Sequence, residues 1–188
     1  MCNNCIKRGG FFMMEIRNWN DYSETQAIKL ALYIKKKYLE YSKNINKRII
    51  SPIKLQKSLY FLFAYWGQYI TKNKENKDSV EVDYSNYNEW LFDDVIEAWT
   101  YGPVVPSVFI AEKAGLLDKE PEREYLEDEI VKKEFIDNLL EQLFEIDDFG
   151  LVNISHQDKC WRKYYIETDE KHNREIPKKE IIDEYSRK

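Results

Sequence analysis

Glycine, proline and cysteine are scarce in this chain, and each scarcity excludes a class of structure. Six glycines and five prolines among 188 residues argue against a turn-rich β-sandwich. Three cysteines, Cys2, Cys5 and Cys160, do not suggest a disulfide framework, and free thiols are typical of a cytoplasmic protein. The longest apolar run, 59–66, is far shorter than the about 20 residues that cross a bilayer. We therefore expect a cytoplasmic protein without membrane association.

Metal ligands of the thiol and imidazole type are also few. Cys2 and Cys5 have the spacing of half a zinc site. The other half is missing, since only Cys160, His156 and His172 remain in the chain. We therefore expect no metal and no cofactor.

The start of the chain contains a feature that bears on where translation begins. Residues 8–10 read Arg-Gly-Gly, which is what a purine-rich ribosome-binding sequence encodes when it is translated by mistake. We hypothesise that the natural start is Met13 or Met14 and that residues 1–12 are an annotation artefact. Residues 1–22 are accordingly interpreted as an N-terminal extension.

Aromatic residues, in contrast, are abundant. The chain has 14 Tyr, 9 Phe and 5 Trp, and 43% of its residues are hydrophobic. This apolar surface is enough to pack one core and argues against general disorder. The length fits one domain.

Charge is distributed unevenly along the chain, although the net charge is only −5. Residues 1–74 hold 14 basic and 4 acidic side chains, whereas 75–117 hold 2 and 9, and 118–148 hold 4 and 13. Residues 149–188 hold 9 and 8. Two interpretations stay open: the halves attract each other or lie on separate solvated faces, or the acidic part is a docking surface.

Hydrophobic periodicity predicts a mainly α fold, a single-domain helical bundle with short extended or β elements around residues 79–82 and 94–100. Helices are predicted from Ser23 to 42–45, from Ser51-Pro52 to about Thr71, over 107–114, over 127–146 and as one short turn at 151–156. The second helix is apolar on every side from Leu59 to Trp66, which predicts a buried, central position. A long loop is expected over 72–88.

The end of the chain is predicted to lie outside the folded part. Residues 23–166 are assigned to the helical domain and 167–188 to a charged C-terminal tail. The tail has few apolar residues and one weak helical stretch after Pro177, so we expect it to be loosely held. Gly150 is interpreted as the stop signal of the preceding helix.

Three segments together resemble the SocA-like antitoxin family, also known as the Panacea domain. They are Lys-Leu-Gln-Lys-Ser-Leu-Tyr-Phe at 54–61, Glu-Ala-Trp-Thr-Tyr-Gly-Pro-Val-Val-Pro at 97–106, and Leu-Val-Asn-Ile-Ser-His at 151–156 followed by Trp161. The resemblance covers about 27–161. It implies a mainly α fold and the neutralisation of a toxin by direct contact or by delivery to a protease. Members of the family also occur in phages and prophages.

Candidate partner-binding residues come from the second and third segments and from the acidic stretch. They are Trp99, Tyr101, Gly102, Pro103, Val104, Pro106, His156, Trp161, Glu122, Glu124, Asp128 and Glu129. Trp and Tyr supply much of the energy at interface hot spots, and a Gly-Pro turn would hold them rigidly. In the alternative interpretation Trp99, for which we favour a core position, packs inward and the turn only reverses the chain.

His156 invites a catalytic interpretation because Asp158 and Cys160 follow it closely. A nucleophilic cysteine also needs a base within hydrogen-bond reach and an anion-stabilising site, and no motif indicates one. We expect no enzyme, and we expect His156 to cap a turn or to bond to residues 99–101. The basic stretch 43–57 lacks the interleaved aromatics of a nucleic-acid platform, which argues against direct nucleic-acid binding.

Two functions are compatible with these patterns. The first is an antitoxin-type module that binds a protein toxin. The alternative is a phage-encoded anti-defence inhibitor, for example an anti-CRISPR protein, that uses the acidic residues 75–148 to occupy a nucleic-acid groove. Both act by binding another protein.

Overall fold

A computed structural model describes most of the chain. The described residues are 25–43, 49–75, 82–118, 126, 129–165 and 174–188. The predictions made for Cys2, Cys5, Ser23, the extended segment at 79–81, Glu122, Glu124, Asp128 and His172 lie outside these residues.

Helices dominate the described residues, as predicted, and a small antiparallel sheet accompanies them. The helices are α1 (Gln26–Ser42), α2 (Pro52–Glu75), α3 (Pro106–Lys113), α4 (Ile130–Glu145), α5 (Asp148–Ser155), α6 (Lys159–Tyr164) and α7 (Lys178–Ser186). The strands are β1 (Glu97–Trp99), β2 (Gly102–Val104) and β3 (Arg174–Glu175). Short 3-10 turns span Tyr84–Asn86 and Leu116–Asp118. Within the described ranges no helix has both the length and the apolar character to cross a membrane.

Helix α1 begins two residues later than predicted. Thr25 is its N-cap, and the Thr25 side chain accepts a hydrogen bond of 3.3 Å from the backbone N–H of Ile28. A hydroxyl at this position satisfies one of the free N–H groups of the first turn. The predicted end near residues 42–45 is confirmed, since the helix ends at Ser42.

Helix α2 is the central element, as its sequence predicted. Ser51 Oγ accepts a hydrogen bond of 3.0 Å from the backbone N–H of Lys54, which confirms the predicted start. Every residue from 59 to 66 except Tyr65 is buried. The helix continues to Glu75, one turn beyond the predicted end. The added turn, 72–75, is not buried; Asn73 Nδ2 donates a hydrogen bond of 2.8 Å to the Tyr69 carbonyl, and Lys74 forms an ion pair with Glu89 at 3.4 Å.

The break between α4 and α5 corrects the role assigned to Gly150. Helix α4 ends at Glu145, and Ile146 is extended. Asp147 then caps α5, because its side chain accepts a hydrogen bond of 2.8 Å from the backbone N–H of Gly150. Gly150 therefore lies in the first turn of a new helix and does not stop the previous one.

The predicted loosely held tail is wrong for the residues described there. The helical stretch after Pro177 is confirmed as α7, but this helix packs against α2. Ile176 and Ile181 are fully buried, and Ile182 lies against Gly67, where an added Cβ would be 2.8 Å from Ile182 Cδ1. Apolar residues three and four apart on a charged helix are enough to bury one face.

The sheet confirms the extended element predicted at 94–100. Its strand order is β2-β1-β3, and both pairings are antiparallel. In the β1–β2 hairpin Glu97 pairs with Val104 and Trp99 with Gly102. Pro103 lies within β2, at an edge of the sheet where a missing N–H is tolerated. Pro106 then begins α3, as predicted.

Candidate interaction site

The β1–β2 hairpin reverses direction over a tight turn at Thr100 and Tyr101. Gly102 follows with a φ of +91°, a left-handed conformation that favours glycine. Tyr101 at the tip is 58% exposed, whereas Gly102, Pro103 and Val104 are buried. The hairpin therefore presents one large side chain at its tip and packs its return strand into the protein.

Two polar side chains of α2 hold the return strand from within the core. Gln56 Oε1 accepts a hydrogen bond of 2.8 Å from the backbone N–H of Val105, and Gln56 Nε2 donates one of 3.4 Å to the Val105 carbonyl. Lys57 Nζ donates to the Pro103 carbonyl at 2.7 Å. These bonds satisfy backbone groups that an edge strand would otherwise leave unpaired in a buried place.

The third resembling segment holds the hairpin from another side. Trp161 Nε1 donates a hydrogen bond of 3.0 Å to the Trp99 carbonyl. The Trp161 ring stacks on His156 at 3.9 Å between centroids and on Tyr165 at 4.8 Å. The Ser155 side chain occupies the space that a Cβ on Gly102 would need. The three segments, far apart along the chain, thus meet at one hairpin.

His156 has the structural role that its position predicted. It is the C-cap residue of α5. Burial lowers the pKa of its imidazole, the charge of Lys57 lowers it further, and a backbone hydrogen bond with Thr100 acts in the opposite direction. His156 Nε2 is buried without a hydrogen-bond partner. His156 is therefore a neutral ring that supports the turn at physiological pH.

Lys57 is an unusual component of the site, because its amine is almost completely buried. Its exposed fraction is 1%, and no carboxylate of the described residues forms an ion pair with it. Burial lowers the pKa of Lys57 from its ordinary 10.5 to about 7. The Pro103 carbonyl compensates only part of the lost hydration.

Lys57 should therefore make stability depend on pH. The unfolded chain keeps its proton up to about pH 10.5, while the folded protein loses it near pH 7. The penalty for burying the charge is complete below pH 7 and is relieved as pH rises, by at most about 1.4 kcal/mol per pH unit. We expect the unfolding free energy of the wild type to rise relative to that of Lys57→Met between pH 7 and 9. Urea titrations measure this, and exposed Lys179→Met is the control. A constant difference between wild type and Lys57→Met would contradict the expected burial of charge.

The residues that suggested catalysis do not come together. His156 stacks on Trp161, while Cys160 Sγ lies 3.5 Å from Tyr60 Oη. Burial raises the pKa of the Cys160 thiol to about 12, so thiolate is scarce at neutral pH. No group of three or more His, Cys, Asp or Glu residues within the described ranges is placed to hold a metal ion.

Asp158 belongs to a buried polar network that sequence reasoning missed. Its carboxylate is fully buried and accepts hydrogen bonds from Tyr60 Oη at 2.6 Å and from Tyr185 Oη at 2.9 Å. Lys188 Nζ completes the network at 2.6 Å. The network joins α2, α7 and the residue before α6. In the sequence Asp158 stood out only as an acidic residue two positions before Cys160.

The remaining candidates have different environments. Trp99 is half-buried rather than in the core, since its ring packs edge-on against Phe109 at 4.9 Å and its Nε1 donates to Glu97 at 2.7 Å. Glu129 is the N-cap residue of α4 and forms an ion pair with Lys132.

Sequence reasoning also missed Gln56 and Lys57 as parts of this site. Both were interpreted as helix residues of the fold, and their only signal was a pair of polar residues in the turn of helix that precedes the apolar run 59–66. Comparison with protein-family models, with curated proteins and with solved structures finds no match to this chain. The resemblance to the SocA-like antitoxin family therefore rests on the three segments and stays a prediction.

Proposed function

We propose that this chain is an antitoxin-type protein-binding module, which neutralises a protein partner by contact through the hairpin. The observation that carries the proposal is the meeting of the three resembling segments at that hairpin. Gln56 and Lys57 hold one side of it and Trp161 the other. These hydrogen bonds fix the backbone that presents the exposed Tyr101 side chain.

The geometry of the turn suits recognition. Tyr101 is exposed on a backbone whose return strand is fixed by buried hydrogen bonds. A rigid turn loses little conformational entropy on binding. An exposed tyrosine contributes a large contact area and a hydroxyl, which is why tyrosine is frequent among hot-spot residues.

The ion pairs within the acidic stretch favour the proposed contact through the hairpin over the alternative function, nucleic-acid mimicry. Glu129 is paired with Lys132, and Asp137 with both Lys37 and Lys133. These pairs neutralise part of the negative charge that a mimic would have to present. In the alternative function the partner would be a host defence protein, and reversal of charge at Glu122, Glu124, Asp128 and Glu129 would abolish its inhibition.

Affinity purification from the native host, combined with Tyr101→Ala, tests the proposal. We expect one stoichiometric protein partner, lethal to cells that lack this chain. Tyr101→Ala should weaken its binding about 30-fold, since a hot spot contributes about 2 kcal/mol or more. Thermal stability should not change, because the side chain is exposed.

Ile49→Ala is the matched control, because Ile49 is an exposed apolar residue outside the hairpin. It should leave binding and thermal stability unchanged. Full binding by Tyr101→Ala, or the absence of any stable protein partner, would refute the proposal. The half-life of the partner in cells distinguishes simple coverage from delivery to a protease.

A further inference from the structure

A groove runs between α2 and α4 and shares no residue with the hairpin. Its volume is about 590 Å³. Phe61, Tyr65 and Tyr69 of α2 line one wall, and α4 lines the other with residues that include Phe135 and Leu139. We call this surface the α4 groove.

The walls have the spacing that accommodates a helix. The lining residues of α2 recur every four positions, as do Val131, Phe135, Leu139 and Leu143 of α4. Rows of side chains four residues apart form the ridges between which a further helix packs. At 1.5 Å per residue the α4 row is about 18 Å long, which matches three to four turns of helix.

The polar edge of the groove is negatively charged. Glu134 is the one charged side chain among its described lining residues. Glu141, seven residues later on α4, is exposed like Glu134. Neither carboxylate has an ion-pair or hydrogen-bond partner within the described structure. Asp137, on the face toward α1, is in contrast bonded to Tyr33 and Lys133. Glu134 therefore places an unpaired carboxylate at the edge of the groove, and Glu141 adds a second exposed one, two turns further along α4 and outside the lining residues.

We infer that the α4 groove binds an amphipathic helix of a partner protein, apolar along one face and carrying lysine or arginine along its flank. The apolar floor would receive the hydrophobic positions at i, i+4 and i+7. Glu134 and Glu141 would pair with the basic flank. A second copy of this chain fits less well, because its own α4 would bring like charges to the same edge.

This inference does not depend on the hairpin. It assigns a second surface, so the partner of the hairpin and the partner of the groove need not be the same. Ile154 at the end of the groove is 37% exposed, which makes it a suitable position for a blocking substitution.

The test uses two fluorescent 15-residue peptides with the full-length protein. Both carry leucine at helical i, i+3 and i+4 spacing. One carries lysine at the flanking positions and the other glutamate. At physiological salt we expect the lysine peptide to bind at least tenfold more tightly by fluorescence anisotropy, and to gain helical circular dichroism on binding.

Variants locate the bound peptide. Ile154→Lys, and separately the double substitution Glu134→Lys with Glu141→Lys, should each weaken binding at least tenfold. Glu175→Lys on exposed β3 is the control for charge reversal away from the groove and should have no effect, as should Tyr101→Ala. If Ile154→Lys unfolds the protein, the double variant decides, because both glutamates are exposed.

Equal binding of the two peptides, or binding that neither groove variant weakens, would overturn the inference. So would a concentration-dependent dimer in sedimentation that Ile154→Lys converts to monomer, since the occupant would then be a second copy. Loss of peptide binding in the groove variants with unchanged binding of the hairpin partner would support two separate surfaces. Failure of Tyr101→Ala to affect its partner would leave the groove result intact.

Discussion

Deletion of residues 178–188 is expected to abolish cooperative folding. The deletion removes α7, whose Ile181 and Tyr185 are fully buried and whose Ile182 is 4% exposed. Truncation of one such side chain to alanine costs about 2–5 kcal/mol. The loss of all three approaches or exceeds the total stability of a domain, about 5–15 kcal/mol.

The deletion would also remove two of the three groups that donate hydrogen bonds to the Asp158 carboxylate and leave only Tyr60. Asp158 would lose its bonds to Tyr185 and Lys188. The backbone N–H groups of Lys159 and Cys160 would lose Glu184, which accepts both at 2.8 Å. The loss of partners for a carboxylate and for two backbone N–H groups adds to the cost of the lost apolar burial.

Thermal unfolding followed by circular dichroism measures the effect of the deletion. Lys179→Ala within the same helix is the control, because it removes only an exposed pair with Asp183 and should cost about 0.5 kcal/mol or less. A deleted chain that still melted cooperatively near the wild-type temperature would show that α7 is dispensable.

Gly102→Ala is expected to destabilise the protein by about 2–4 kcal/mol and to displace the hairpin. Part of the cost is conformational, since φ at Gly102 is +91°. The rest is steric, since the new Cβ would lie 2.9 Å from Lys57 Cε and also overlap Ser155 Oγ. Neither neighbour moves freely, because Lys57 is bonded to Pro103 and Ser155 Oγ to the Val152 carbonyl.

Gly115→Ala separates the two contributions. Gly115 also has a positive φ, +71°, but its added Cβ would meet only Asp118 at 3.6 Å. It should therefore cost only the conformational part, about 1–2 kcal/mol. Urea unfolding of both variants gives the difference, and Ser155→Ala should restore part of the stability lost in Gly102→Ala. Equal costs for the two alanines would mean that the hairpin is not held as described.

Local signals along the sequence predicted several elements of this fold correctly. Ser51 and Pro52 marked the start of α2, and Pro106 marked the start of α3. The apolar run of α2 predicted its burial. These predictions were possible because caps, proline geometry and periodicity act within a few residues of the chain.

Predictions that depended on distant partners were wrong or incomplete. The local sequence of helix α7 is that of a charged tail. Its Ile181 and Ile182 are buried because Gly67 and its neighbours on α2 supply a surface for them. The interpretation of Gly150 failed for a local reason, because Asp147, three residues earlier, caps the next helix through the Gly150 N–H. For α7, in contrast, a surface far away in the chain decides whether the apolar side chains are buried.

The candidate site likewise has one part that the sequence predicted and another that only the tertiary structure showed. The sequence by itself predicted a reversal of the chain at Gly102-Pro103, and the structure places it slightly earlier, at Thr100 and Tyr101, with Gly102 and Pro103 in strand β2. Only the tertiary structure assigned Gln56 and Lys57 to the backbone of that turn, 46 to 49 residues away. A polar residue on a buried helix face needs a hydrogen-bond partner. Because a hydrogen bond is short and directional, the packing of the helices and the hairpin decides which group that partner is.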